Sequence, residues 1–376
     1  MNTPLSHKPS FLVVAPIFIY LTTCSMYVMP SGLPQIFDII AVVGVLFCFN
    51  KAINFSYANH HSLFTISILF LSWVVFVSTL NALYHQEIKI LIAPFYYIYN
   101  LLLLMYVLYA LSDKRNLKIA IYCMCTLVIA MFIFQGVLSS GETRETLKFN
   151  NPNQLAYFSL VYLSIFSMCF LKHKQLKLNR VFLMLSMLAC VWFTALSLSI
   201  TAVVASIITI TILTAITLKN NKSATLMIGS VIFVMFFTLP ILVKSFPDGY
   251  LESVSARIER SSQKTADIKE ERHYDRIVKY YEQTLIGAGE GANERFGHPQ
   301  EIHSTFGTLF FSYGIVGLSI FFIILKVIYN KVGFFNSLFL VPILLYSITH
   351  QGLRSSVFWL LLGFIILILT LDEDEE

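Results

Sequence analysis

Apolar runs, each about as long as a bilayer is thick, recur from one end of this chain to the other, and they leave it few folds. A transmembrane helix takes about 20 mostly apolar residues. Twelve such stretches stand out: 11–29, 33–49, 62–80, 90–111, 117–138, 154–171, 181–198, 200–218, 224–243, 304–325, 334–348 and 355–371. Backbone inside hydrocarbon must satisfy its own hydrogen bonds, so runs of this length are expected as helices. The composition agrees, at 57% hydrophobic and 12% charged over 376 residues, against about 45–50% and 25% in soluble domains. The expected fold class is therefore all-α: one polytopic membrane domain over residues 1–376. Only Ser199 separates spans seven and eight, which read either as a tight hairpin or as one long bent helix. No small-residue cleavage site follows the first span, and Thr23 before Cys24 does not suit a lipoprotein box, so that span is expected to stay.

Orientation follows from where Lys and Arg fall when loops alternate between the two sides. With the N-terminus inside, the cytoplasmic loops collect 13 of the 26 Lys and Arg, the short outer loops four (Lys89, Arg144, Lys148 and Arg354), and one 60-residue loop the other nine. That loop, residues 244–303 between spans nine and ten, is expected on the outer face, with both termini cytoplasmic. Topology accounts for the basic residues, so the net charge of +5 is no sign of nucleic-acid binding. All six cysteines lie in apolar spans and read as packing residues rather than a disulfide framework.

The 244–303 loop holds 20 of the chain's 47 charged residues. Asp267 and Glu270 have capping-box spacing, so a helix is expected from about 268 to 284. On it Arg272, Arg276 and Lys279, at steps of four and three, would form one cationic stripe. This stripe reads either as a solvated face paired with Glu270, Glu271, Asp275 and Glu282, or as an anion clamp, since guanidinium forks match phosphate oxygens. The Gly287-Ala288-Gly289-Glu290-Gly291 run is expected to be a flexible turn rather than a phosphate cradle, because no strand precedes it. On the preceding outer loop, Asn150-Asn151-Pro152-Asn153 suits a turn and helix cap before span six.

His303 stands where the loop meets span ten. It reads either as an interfacial histidine bonded to water or as a proton acceptor working near neutral pH. Nothing in the chain offers Cys or His at zinc spacing, and no metal or other cofactor is expected. Asp372 and Asp374 lie in a terminal acidic tail expected in the cytoplasm, as are His60 and His61. Asp38 is the one conspicuous charge in the spans, too little for an ion pathway.

Three segments resemble the bacterial O-antigen ligase and O-antigen polymerase superfamily. His303 is followed by Gly314 and Gly317 in HSTFGTLFFSYGIVGL, similar to the signature that ends that family's large periplasmic loop. Arg272 stands fifteen residues before Gly287, and Asn151-Pro152-Asn153 opens a mid-chain span. The likeness covers the whole chain in topology and about fifty residues in motif. It implies a bacterial inner-membrane glycosyltransferase, inverting and metal-independent, that takes a glycan from undecaprenyl pyrophosphate and delivers it to a sugar hydroxyl. His303 would match the essential histidine, as base or orienter, and Arg272 the arginine that grips the donor pyrophosphate. Implied partners are that donor, a glycan acceptor (a lipid-linked repeat unit or the lipid A core), the bilayer, and flippase and chain-length regulator proteins.

The chain departs from the pattern twice. Ser304 replaces the family's usual Asn after the histidine, and Ser197-Leu198-Ser199-Ile200-Thr201 lacks the arginine expected at the outer start of span eight. Arg276, Arg354, Arg144 and Arg257 are outward candidates for the second pyrophosphate contact, with Arg276 first because it lies one turn from Arg272. Ser304, Asn153 and Arg354 are further candidate substrate contacts. The Asn-Pro-Asn-Gln-Leu-Ala-Tyr run resembles polymerases more than ligases. A twelve-span transporter is the alternative of another class. It would show matching halves with interrupted helices, whereas Pro16, Pro94, Pro240 and Pro342 form no such pairs.

Overall fold

Polar caps decide where the apolar runs become helices. Asp113, Asn151, Asn179 and Ser304 each stand at a helix N-terminus and accept a first-turn amide, which satisfies donors that have no partner inside the helix. The computed structural model describes residues 9–30, 34–140, 144–220, 229, 259 and 272–371. In chain order the described helices are α1 Phe11–Thr23, α2 Ile36–Asn59, α3 His61–His85, α4 Ile92–Ala110, α5 Lys114–Ile133, α6 Gln135–Leu138, α7 Pro152–Leu171, α8 Arg180–Leu196, α9 Ile200–Asn220, α10 Asp275–Lys279, α11 Thr305–Val332, α12 Phe334–Ser337, α13 Val341–Thr349 and α14 Ser356–Leu369. Short 3₁₀ turns add Ile88–Leu91, Tyr281–Thr284, Asn293–Phe296 and Leu338–Leu340. There is no strand among the described residues.

Seven of these helices are long and apolar enough to cross a membrane: α2, α3, α4 with its leading 3₁₀ turn, α5, α7, α9 and α11. Four shorter apolar helices cover Phe11–Thr23, Arg180–Leu196, Phe334–Thr349 and Ser356–Leu369. The expected span 224–243 apart from residue 229, the Asp267–Glu270 capping box, Arg257 and the acidic tail lie outside the described residues. Spans seven and eight are two helices, not one, because Leu198 turns the chain with a positive φ of 51°. α7 forms the centre, buried at every residue from Leu155 to Phe170. Large apolar side chains such as Leu46, Phe47, Leu69 and Phe76 are half exposed or more on the outer helices. Such faces suit lipid rather than water. Asp38 caps α2, its carboxylate accepting from the Gln35 amide at 2.9 Å and the Tyr99 hydroxyl at 2.8 Å.

α11 is broken at Gly314, whose φ of 68° and ψ of −174° are essentially closed to other residues. The break releases three carbonyls, and each finds a new donor: Phe311 from the Ala288 amide (2.9 Å), Ser312 from the Gly289 amide (2.9 Å) and Tyr313 from Trp73 Nε1 (2.7 Å). A Cβ at Gly314 would stand 2.4 Å from the Leu285 carbonyl oxygen. The glycine-rich segment is thus an ordered wedge against the kink, not a flexible turn. Its amides at 288 and 289 are engaged by helix carbonyls and cannot cradle phosphate.

Candidate functional site

The described end of the large loop is tied to the bundle where α13 stops. A helix C-terminus leaves carbonyls without intrahelical donors, and here side chains supply them. The Tyr274 hydroxyl donates to the Ile348 carbonyl (2.6 Å), Arg272 Nη1 to Thr349 (2.7 Å) and Thr305 Oγ1 to His350 (3.1 Å). The His303 amide donates to the Arg272 carbonyl at 3.3 Å. His303 and Arg272 therefore meet, although 30 residues lie between them in the chain.

The contacts continue into a second loop, the one before α7. The Thr349 hydroxyl lies 2.8 Å from His350 Nδ1 and 3.4 Å from Thr201 Oγ1. The His350 ring stacks on Tyr346, 4.3 Å between centroids, and the Tyr346 hydroxyl donates to the Asn153 carbonyl at 3.0 Å. The Asn153 side-chain oxygen accepts from Arg144 Nη2 at 3.1 Å, while Arg144 Nε donates to the Ser197 carbonyl at 3.1 Å. Arg144 thus lies at the C-terminal end of α8, beside the segment where the expected arginine of span eight is lacking.

The site is electropositive. Burial, followed by the charges of Arg272, His303 and Arg144, pushes the His350 imidazole down to a pKa of about 4. Two guanidinium groups from separate loops therefore act on one imidazole. Glu145, next to Arg144, directs its carboxylate to Ser139 and Ser140 instead. The His303 side chain is solvent-exposed. Partial burial, His273 and Arg272 lower its pKa below 6.5, so the neutral ring, the form that can take a proton, prevails at neutral pH.

The expected cationic stripe does not form. His273 has a positive φ of 59°, and the helix begins only at Asp275, runs to Lys279 and passes into the 3₁₀ turn Tyr281–Thr284. Arg272 precedes that helix, so it and Arg276 do not share a helical face. Arg276 is 3% exposed and holds the loop together, donating to Asn293 Oδ1 (3.1 Å) and to the Gln300 and His298 carbonyls (2.7 and 3.5 Å). Ser304 is also buried. Its hydroxyl accepts the Gly307 amide at 3.1 Å and donates to the Ser347 carbonyl at 3.4 Å. Arg354 is caught between two carboxylates, with Nε 3.1 Å from Glu290 and Nη2 against Glu301. Glu290 also accepts from the Tyr97 and Tyr313 hydroxyls, both at 3.0 Å, and from Gln351 Nε2 at 3.3 Å. Arg276, Ser304 and Arg354 are thus engaged with the protein itself.

His350, Thr349 and Glu290 escape a reading of the sequence. His350 ends an apolar span with no motif around it, and Glu290 looks like one more loop charge. A second histidine at the end of an apolar run was the available signal. Among the described residues no three His, Cys, Asp or Glu side chains form a group able to hold a metal ion. No family model matches the chain, and no curated protein matches it.

Proposed function

We propose that this chain is a membrane glycosyltransferase of the O-antigen polymerase and ligase kind, working as a polymerase. It transfers a glycan from undecaprenyl pyrophosphate to a sugar hydroxyl of the next lipid-linked repeat unit. The observation that carries this reading is the union of His303 and Arg272 with Arg144 around the outer end of α13. A glycosyl transfer needs a base at the acceptor hydroxyl and countercharge at the leaving pyrophosphate. A neutral histidine and two guanidinium groups supply both.

In this reading the acceptor oxygen attacks the anomeric carbon and a new C–O bond forms with inversion. The bond from that carbon to the pyrophosphate oxygen breaks, and its electron pair leaves with undecaprenyl pyrophosphate. The hydroxyl proton passes to His303. Arg272 and Arg144 meet the charge on the leaving group, and no metal is assigned a role. Asn153 positions Arg144, Ser304 caps α11 behind His303, and Arg276 and Arg354 keep the loop in place. The topology that goes with this chemistry has twelve spans in the bacterial inner membrane, both termini cytoplasmic and residues 244–303 periplasmic.

Deleting the gene tests the reading on one gel of surface polysaccharide. A core carrying a single repeat unit is the expected result. Bare core with lipid-linked polymer accumulating would assign the ligase reaction instead, and unchanged polysaccharide would remove both.

A further inference from the structure

Arg272 and His273 are consecutive, yet their side chains go to different places. Arg272 reaches the Thr349 carbonyl, whereas His273 is buried within the loop, its Nε2 3.1 Å from Gln300 Oε1 and its ring 3.9 Å from that of His298. The positive φ of His273 makes this divergence, and a non-glycine residue keeps such a backbone only where its surroundings determine it. Beside it lies a cavity of about 340 Å³, lined among others by His273, Asp275, Lys279, Tyr280, Phe296 and His298. The His273 ring that lines the cavity is 5.9 Å from the His303 ring.

We propose that this cavity is the acceptor subsite and binds one sugar ring of the incoming glycan. The inference rests on the transferase reading above and assigns that reaction its second substrate. Its volume is near the lower end of small-molecule sites, about 300–1,000 Å³, which suits one sugar residue better than an oligosaccharide. A sugar ring presents hydroxyls that both donate and accept, together with an apolar C–H face. The cavity offers complements to each: the Asp275 carboxylate accepts, the Lys279 ammonium donates, and the imidazoles of His273 and His298 can do either. Tyr280 and Phe296, with ring centroids 5.1 Å apart in an edge-to-face pair, supply apolar wall. The wall is preorganised by Arg276, which lies over Phe296 at 5.9 Å and holds the His298 and Gln300 carbonyls. A glycan anchored here lies beside His273, whose ring is 5.9 Å from that of His303, so a sugar extending past His273 could bring its hydroxyl into hydrogen-bond reach of the base.

Asp275, Lys279 and His298 are exposed, so Asp275→Asn, Lys279→Ala and His298→Ala leave the buried frame intact. The full-length protein in nanodiscs is titrated with free repeat-unit oligosaccharide, lipid-free, and binding is read by saturation-transfer NMR. Transfer from the lipid-linked donor is measured in parallel. The wild type is expected to bind the oligosaccharide, each variant to bind it about tenfold more weakly, and acceptor KM to rise about tenfold with donor KM unmoved. Equal binding by wild type and variants would overturn the subsite, as would displacement of the sugar by millimolar inorganic phosphate or a rise in donor KM. If binding depends on these residues but no transfer occurs, the sugar site stands and the transferase reading falls. If transfer occurs with acceptor KM unmoved by all three variants, the transferase reading stands and the subsite falls.

Discussion

His303 can act as a base only while it is neutral, and its surroundings favour that form. Partial burial, the neighbouring His273 and the positive charge of Arg272 all lower its pKa, so the acid limb of kcat/KM should lie below the ordinary histidine value of 6.5. Removing the positive charge with Arg272→Gln should move the limb of the residual activity upward, as a pH–rate profile would reveal; a limb that stays put would deny the coupling. His303→Ala should lower turnover by about 10²–10⁴-fold, the usual contribution of a positioned base. Arg144 and Arg276 separate two views of the pyrophosphate contact. Arg144→Ala should lower kcat by about 10²-fold, the scale for one electrostatic contact to a developing charge. Arg276→Ala should appear instead in the melting curve, since the Asn293, His298 and Gln300 oxygens lose a charged, buried donor, at about 1–3 kcal/mol. A large activity loss in folded Arg276→Ala, with Arg144→Ala active, would return the second contact to the loop.

At the scale of elements, α11 and the glycine-rich wedge depend on each other. Gly314→Ala places a side chain where φ is 68° and where its Cβ would meet the Leu285 carbonyl oxygen at 2.4 Å. The backbone cost alone is about 1–3 kcal/mol, so thermal stability should fall and the wedge should lose protection in hydrogen exchange. Gly136→Ala is the control, because its Cβ would meet nothing within 4 Å; a Gly314→Ala melting point equal to that of the control would contradict this account of the kink. The helices themselves were legible in the sequence. Among the described residues eleven of the twelve apolar runs carry helix, seven of them in helices long enough to cross a membrane, because backbone in lipid has to satisfy its own hydrogen bonds, and the Asn151 cap was plain from Asn-Pro-Asn. The helix expected over 268–284 is, among the described residues, only Asp275–Lys279 and a 3₁₀ turn at Tyr281–Thr284, since a capping pattern cannot report that His273 takes a positive φ. The candidate site was legible only in part. His303 and Arg272 were marked by spacing, but the contacts of Arg144 with Ser197 and of His350 with Thr349 and Tyr346 arise where separate helix ends converge.

For the whole molecule, the folded chain brings the end of the polar loop and the loop before α7 to the same place, the C-terminal end of α13. In the proposed mechanism neither loop holds the chemistry alone: the first brings the base and one guanidinium, the second the other guanidinium. Gly314 and the Glu290–Arg354 pair fix the first loop to the bundle, so distant substitutions should act on transfer through the site's geometry. The most direct test is transfer by the purified protein, reconstituted with an undecaprenyl-pyrophosphate-linked repeat unit as donor and acceptor. Elongated lipid-linked glycan with stoichiometric release of undecaprenyl pyrophosphate is expected, lost in His303→Ala and Arg272→Ala. No elongated product from the wild type, or elongation that proceeds equally in His303→Ala, would contradict the proposed mechanism.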